Sequence, residues 1–153
     1  MIKILFVCHG NICRSPMAEF VMKELVEQAG LKQRFIIASA ATSAEEIGND
    51  IHWGTRKKLL AENIPFSPRS ARRLTPVDYE QYDYLIGMDD ANLRNMKRIF
   101  GDDPNHKIFA LLDFTDHPKA IADPWYTGNF DETFSDITKG CKAFLSYLLT
   151  SSD

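Results

Sequence analysis

The chain of 153 residues balances 18 Lys and Arg against 21 Asp and Glu, a formal charge of −3, which excludes a general nucleic-acid surface and an anchor for anionic membranes. That length suits one domain with a substantial core and is short for two, so residues 1–153 read as a single domain. Three cysteines, an odd number, argue against a secreted disulfide framework, and the N-terminal apolar run is too short for a signal peptide or a membrane span, so a cytoplasmic protein is expected.

Ile2 to Val7 is a short apolar run, read as a buried strand. Cys8-His9-Gly10-Asn11-Ile12-Cys13-Arg14-Ser15 follows, and Pro16 to Ala29 then has helical periodicity, with Ser15 suited to the N-cap and Gly30 to the stop. A second strand is expected over Arg34 to Ala40, opening into a polar loop that carries Glu45 and Glu46. Asn49 or Asp50 can cap a helix running to about Asn63. Thr75-Pro76 starts a short helical turn through Asp78 to Gln81. Tyr84 to Met88 is a third strand, and Asp89 caps a helix whose buried stripe is Leu93, Met96, Ile99 and Phe100. Lys107 to Leu112 supplies a fourth strand, Asp113 to Asn129 a long loop, and Phe130 to Leu149 the most regular apolar stripe of the chain, with Cys141 on it.

Strands alternating with helices predict an α/β fold, a doubly wound domain with a four-stranded parallel sheet and helices on both faces. Ligands of such sheets bind at the carboxyl ends of the strands. The loop after the first strand and the long loop after the fourth therefore open onto one edge.

The first loop has the composition of an oxyanion cradle. Gly10 permits close approach to a ligand, Arg14 carries a permanent planar fork that grips two phosphate oxygens, and the following helix points its positive end back into the loop. Cys8 lies inside that cradle, where the thiolate nucleophile is favoured over the thiol. The long loop offers Asp123-Pro124-Trp125-Tyr126, an acid on a backbone stiffened by proline and followed by two aromatics that can wall an aryl group. An acid there would protonate the oxygen leaving phosphorus. As ionisable groups His9 and His52 are isolated and read as surface or loop residues, and no metal or other cofactor is expected because Arg14 and the loop amides supply the positive field.

The sequence Cys-x5-Arg-Ser resembles the phosphate-binding loop of protein tyrosine phosphatases. The fuller pattern Cys8 to Pro16, with Asp123-Pro124 and two aromatics, is similar to the low-molecular-weight branch of that family. The resemblance implies that Cys8, Arg14 and Asp123 are catalytic and that His9, Gly10, Asn11, Ile12, Cys13, Arg14 and Ser15 bind phosphate. Asn11 would shape the loop and Ser15 would hydrogen-bond the sulfur. Ile12, Glu45, Trp125 and Tyr126 would line the substrate cleft. The resemblance also implies a protective disulfide between Cys8 and Cys13, for which simple packing of Cys13 is the alternative. Expected partners are a phosphotyrosine-bearing protein or a small aryl phosphate, with inorganic phosphate as product and inhibitor, and a monomer.

The chain departs from the family after the second strand. Ala40-Ala41-Thr42 stands where Ala-Gly-Thr is usual, Glu45-Glu46 where an aromatic and His are usual, and His52-Trp53-Gly54 where Asp-x-Arg is common. Two carboxylates at the cleft rim would disfavour acidic peptides relative to basic ones. Alternative activities on the same loop are an arginine-phosphate phosphatase, a thiol-dependent arsenate reductase and a non-hydrolytic phosphocysteine carrier. Ile12, where the first tends to carry Thr, favours the aryl phosphatase.

Overall fold

The computed structural model describes residues 1–151. Its centre is β1 (Ile2–Cys8), flanked by β2 (Phe35–Ala41) on one side and by β3 (Tyr84–Gly87) and then β4 (Ile108–Ala110) on the other, giving the all-parallel order β2-β1-β3-β4. Ile4, Leu5, Phe6 and Val7 are all fully buried, as expected of a central strand covered on both faces. Alternation divides them between two cores. Ile4, Phe6 and Cys8 face α1 (Arg14–Gln28) and α6 (Phe130–Ser151), where Phe6 meets Phe144 edge to face at 6.5 Å. Leu5 and Val7 face Tyr79 of α3 (Asp78–Gln81) and Met96 of α4 (Asp90–Phe100). The doubly wound α/β domain is thus the observed fold.

Strand order reverses between β1 and β3, so the switch point lies where Cys8 and Gly87 end their strands. The expected elements all form, with shifted ends. α1 begins at Arg14 rather than Pro16, and its N-cap is Cys13, which makes no side-chain cap bond. Ser15 cannot cap because its hydroxyl faces the Cys8 sulfur. Pro16 then falls in the first turn, where a missing N–H leaves nothing unsatisfied.

The helix expected from residue 49 or 50 is α2 (Trp53–Ala61), capped by His52. Asn49 is unavailable for it because its carbonyl accepts from Ala71 N–H at 2.7 Å, while Gly48 N–H donates to Ala71 O at 2.9 Å. β4 stops at Ala110, and Leu111–Phe114 continue as a 3₁₀ turn whose two leucines are buried. Within the long loop, Pro124–Thr127 form a single-turn helix, α5. Cys141 is fully buried on α6, with Sγ 3.8 Å from Ala18 O, and burial pushes its thiol up.

Candidate active site

The first loop turns at Asn11, which adopts a left-handed conformation (φ 59°) and is fully buried. Asparagine tolerates that region better than other residues with a side chain, and here its amide is also used completely. Oδ1 accepts from Arg72 N–H at 3.2 Å, while Nδ2 donates to Ser15 Oγ at 2.8 Å and to Ser39 Oγ at 2.9 Å. The Ser39 hydroxyl in turn donates to Glu19 Oε1 at 2.6 Å. Because Ser15 Oγ accepts from Asn11, its hydrogen is left for Cys8 Sγ, 3.1 Å away. Ser15 N–H also points at that sulfur, at 3.4 Å. Both donors stabilise negative charge on Cys8.

Arg14 is 2 % exposed, and its guanidinium is fixed along one side. Nη1 donates to Asp89 Oδ2 at 2.7 Å and to Ile121 O at 2.9 Å, and Nη2 reaches Asp123 Oδ2 only at 3.5 Å. Nε is buried and has no hydrogen-bond partner among the described residues. The Nε and Nη2 hydrogens share one edge, the fork that fits two oxygens of a tetrahedral anion. Burial works against the guanidinium charge, but Cys8, Asp89 and Asp123 outweigh it and hold Arg14 above its ordinary value.

Asp123 is the N-cap of α5, with Oδ1 accepting from Trp125 N–H at 3.0 Å. That bond orients the carboxylate and leaves Oδ2 directed toward the Arg14 side of the site. Asp123, Trp125 and Tyr126 form one wall of a small cavity of about 100 Å³, whose floor includes Cys8, Gly10, Ile12 and Cys13. Its other wall is His9, Glu45 and Glu46. His9 Nε2 lies 2.9 Å from Glu45 Oε2, and Glu46 accepts from Asn49 Nδ2 at 2.6 Å. Gly10 lets Glu46 lie this close to the loop, since a Cβ there would be 3.3 Å from Glu46 Cγ.

Cys13 is buried beneath the loop with Ile12, Ala71 and Phe130. Burial first, then the neighbouring Cys8 and Asp123, push its thiol up to about 12. Among the described residues no group of three or more His, Cys, Asp or Glu is arranged to hold a metal, and no helix is long and apolar enough to cross a membrane.

The fold therefore gathers every residue of the expected cradle and cleft at one sheet edge. It also recruits residues that the sequence did not single out for the site. Asp89, two residues past β3 and the N-cap of α4, orients Arg14, and Ser39 and Arg72 complete the Asn11 network. His52, read from the sequence as isolated, instead contacts both the loop after β1, at Ile12, and the Asp123 loop, at Trp125. Asp89 carried a usable signal, since an acid at the carboxyl end of an inner strand faces the same edge as Cys8.

Comparison with known proteins agrees with this geometry. Residues 3–152 match the family described as low molecular weight phosphotyrosine protein phosphatase. The low molecular weight protein-tyrosine-phosphatase YfkJ of Bacillus subtilis is 38% identical over 148 residues, covering 95% of each chain. PtpA of Staphylococcus aureus is 33% identical, covering 100% of this chain and 97% of that one. The crystal structure of YfkJ superposes with a TM-score of 0.95 at 37% identity, over 100% of this chain and 98% of that one. SP-PTP of Streptococcus pyogenes superposes at 0.89 with 40% identity, over 99% and 96% of the two chains.

Proposed function

The chain belongs to the low molecular weight phosphotyrosine protein phosphatase family, and from that premise we propose that it hydrolyses phosphotyrosine and other aryl phosphate monoesters through a phosphocysteine on Cys8. The observation that carries the assignment of roles is the buried edge of Arg14, whose Nε has no protein partner among the described residues, set beside a sulfur that receives two hydrogen bonds. A phosphoryl dianion supplies the missing acceptor.

Cys8 attacks phosphorus in line with the departing aryl oxygen, while Arg14 and the amides of His9 to Arg14 hold the equatorial oxygens. Asp123 donates its proton to that oxygen, a contribution typically worth about 100- to 10,000-fold. Water then attacks the phosphocysteine, Asp123 accepts its proton, and Cys8 leaves as a thiolate stabilised by Ser15 as inorganic phosphate departs. Ile12, Trp125 and Tyr126 contact the ring. Glu45 and Glu46 give the rim a negative potential that favours basic flanking residues over acidic ones.

Cys13, five positions after Cys8, serves as the resolving thiol: peroxide oxidises Cys8 to the sulfenic acid, which condenses with Cys13 and releases water. Thiol chemistry of this kind suits a reducing compartment, and we place the protein in the cytoplasm. An arsenate-reducing relay is disfavoured by Cys141, which is buried in the core against Ala18. Turnover of p-nitrophenyl phosphate tests the reading. We expect it to collapse in Cys8→Ser and to fall sharply in Asp123→Ala, whereas a stable phosphoprotein without turnover would identify a carrier.

A further inference from the structure

Three parts of the site meet at His52. Its backbone N–H donates to Ile12 O at 2.9 Å, tying it to the phosphate loop. Its ring Nδ1 accepts from Gly54 N–H at 3.0 Å and caps α2. The same ring stacks on Phe130 at 5.4 Å with planes 17° apart and meets Trp125 edge on, at 5.5 Å and 76°. Phe130 in turn packs against Ile12 and Cys13. It can do so because position 54 is glycine, where a Cβ would come within 2.3 Å of the Phe130 ring.

Trp125 is the residue whose N–H holds Asp123 Oδ1. Its side of the cleft is lightly anchored, since α5 is one turn long and Trp125 and Tyr126 are 55% and 82% exposed. Among the described residues the His52 ring is the aromatic partner that meets Trp125 from the phosphate-loop side.

We propose that His52 is a positioning residue for proton transfer: its backbone is tied to the phosphate loop, and its ring, stacked on Phe130, holds Trp125 and thereby sets where the Asp123 carboxylate stands relative to Cys8. This rests on Asp123 acting as the general acid. An aromatic contact of this kind changes an equilibrium by about two- to tenfold, so its loss moves the acid out of position part of the time without removing it. The effect falls on the step that needs the proton.

Two variants separate capping from ring contact. His52→Asn keeps a side-chain oxygen that caps α2 but has no ring, and His52→Phe keeps a ring but no acceptor. Measurements of kcat/KM compare p-nitrophenyl phosphate, whose leaving group departs with little protonation, with phenyl phosphate, whose leaving group requires it. We expect His52→Asn to lower the phenyl phosphate value about two- to tenfold further than the p-nitrophenyl phosphate value, and His52→Phe to keep the parent ratio. In an Asp123→Ala background the Asn substitution should no longer alter the ratio. Equal losses on both substrates, no loss on either, or a changed ratio that persists without Asp123 would overturn the proposal. Asp123→Ala by itself reports on the underlying assignment, because an unchanged ratio there removes the general acid and the positioning role together.

Discussion

Replacing Asn11 by Asp reverses a proton chain without changing the shape of the loop. Asp tolerates the left-handed conformation at φ 59° and still offers an oxygen to Arg72 N–H. It cannot donate to Ser15 Oγ and Ser39 Oγ, which the amide holds at 2.8 and 2.9 Å. The Ser15 hydroxyl then turns its hydrogen toward the new carboxylate and away from Cys8 Sγ. A hydrogen bond to a charged partner is worth about 1.5–3 kcal/mol, so its loss lowers kcat/KM by roughly tenfold to a hundredfold, and the buried carboxylate also carries a desolvation cost in folding. Asn11→Ala behaves differently. It removes three hydrogen bonds, strands Arg72 N–H and puts an ordinary residue in the left-handed region, together costing about 3–5 kcal/mol. For a chain of this size that is a fall in Tm of roughly 10 °C. Kinetics on p-nitrophenyl phosphate and thermal melts of both variants read the two effects separately. An Asp variant with parent kcat/KM, or an Ala variant within about 1 kcal/mol of the parent, would refute the proton chain.

Gly54→Ala should destabilise the fold by about 1–3 kcal/mol, since a Cβ 2.3 Å from the Phe130 ring forces that ring to move; a melt matching the parent would contradict this. The Cys13 thiol, pushed from 9.0 up to about 12 by burial and by Cys8 and Asp123, ionises less readily in the folded chain than in the unfolded one. It therefore contributes stability that is complete below about pH 9 and lost as pH rises toward about 12, by up to about 1.4 kcal/mol per unit. Cys13→Ala should show a correspondingly shallower decline in urea-unfolding free energy over that range, and parallel curves would sink the assignment. Peptides matched except for Arg or Glu beside the phosphotyrosine should differ in kcat/KM in favour of Arg, by about two- to fivefold at low salt. Glu45→Gln should narrow the gap, and equal rates on both peptides in the parent would rule out a charge-selective rim. Peroxide treatment should join Cys8 to Cys13, read by peptide mass, and stable over-oxidation of Cys8 with Cys13 still free would argue against a resolving thiol.

What could be read in the sequence was local. Cys8 to Ser15 form one continuous stretch from the end of β1 to the start of α1, so their spacing alone announces an anion cradle. The α6 stripe, with Ile137, Cys141, Phe144 and Leu148 buried, follows from helical period. The supports of the cradle are tertiary. Arg14 is oriented by Asp89, 75 positions away, and by the Ile121 carbonyl, 107 positions away, and no periodicity connects them. The start of α2 was hidden for the same reason, because Ala71 N–H takes the Asn49 carbonyl that would otherwise open a helix. His52 looked isolated because its neighbours Trp125 and Phe130 belong to a different part of the chain.

Phosphoryl transfer to Cys8 is open to direct observation. In Asp123→Ala, where the acid and base help is gone but the sulfur and Arg14 remain, rapid mixing with p-nitrophenyl phosphate should give a burst approaching one p-nitrophenolate per enzyme. Acid quenching should then leave a single phosphoryl group on the peptide containing Cys8, absent when Cys8 is also Ser. A phosphoryl group found on His9, or sustained turnover in Cys8→Ser, would contradict the role given to that sulfur.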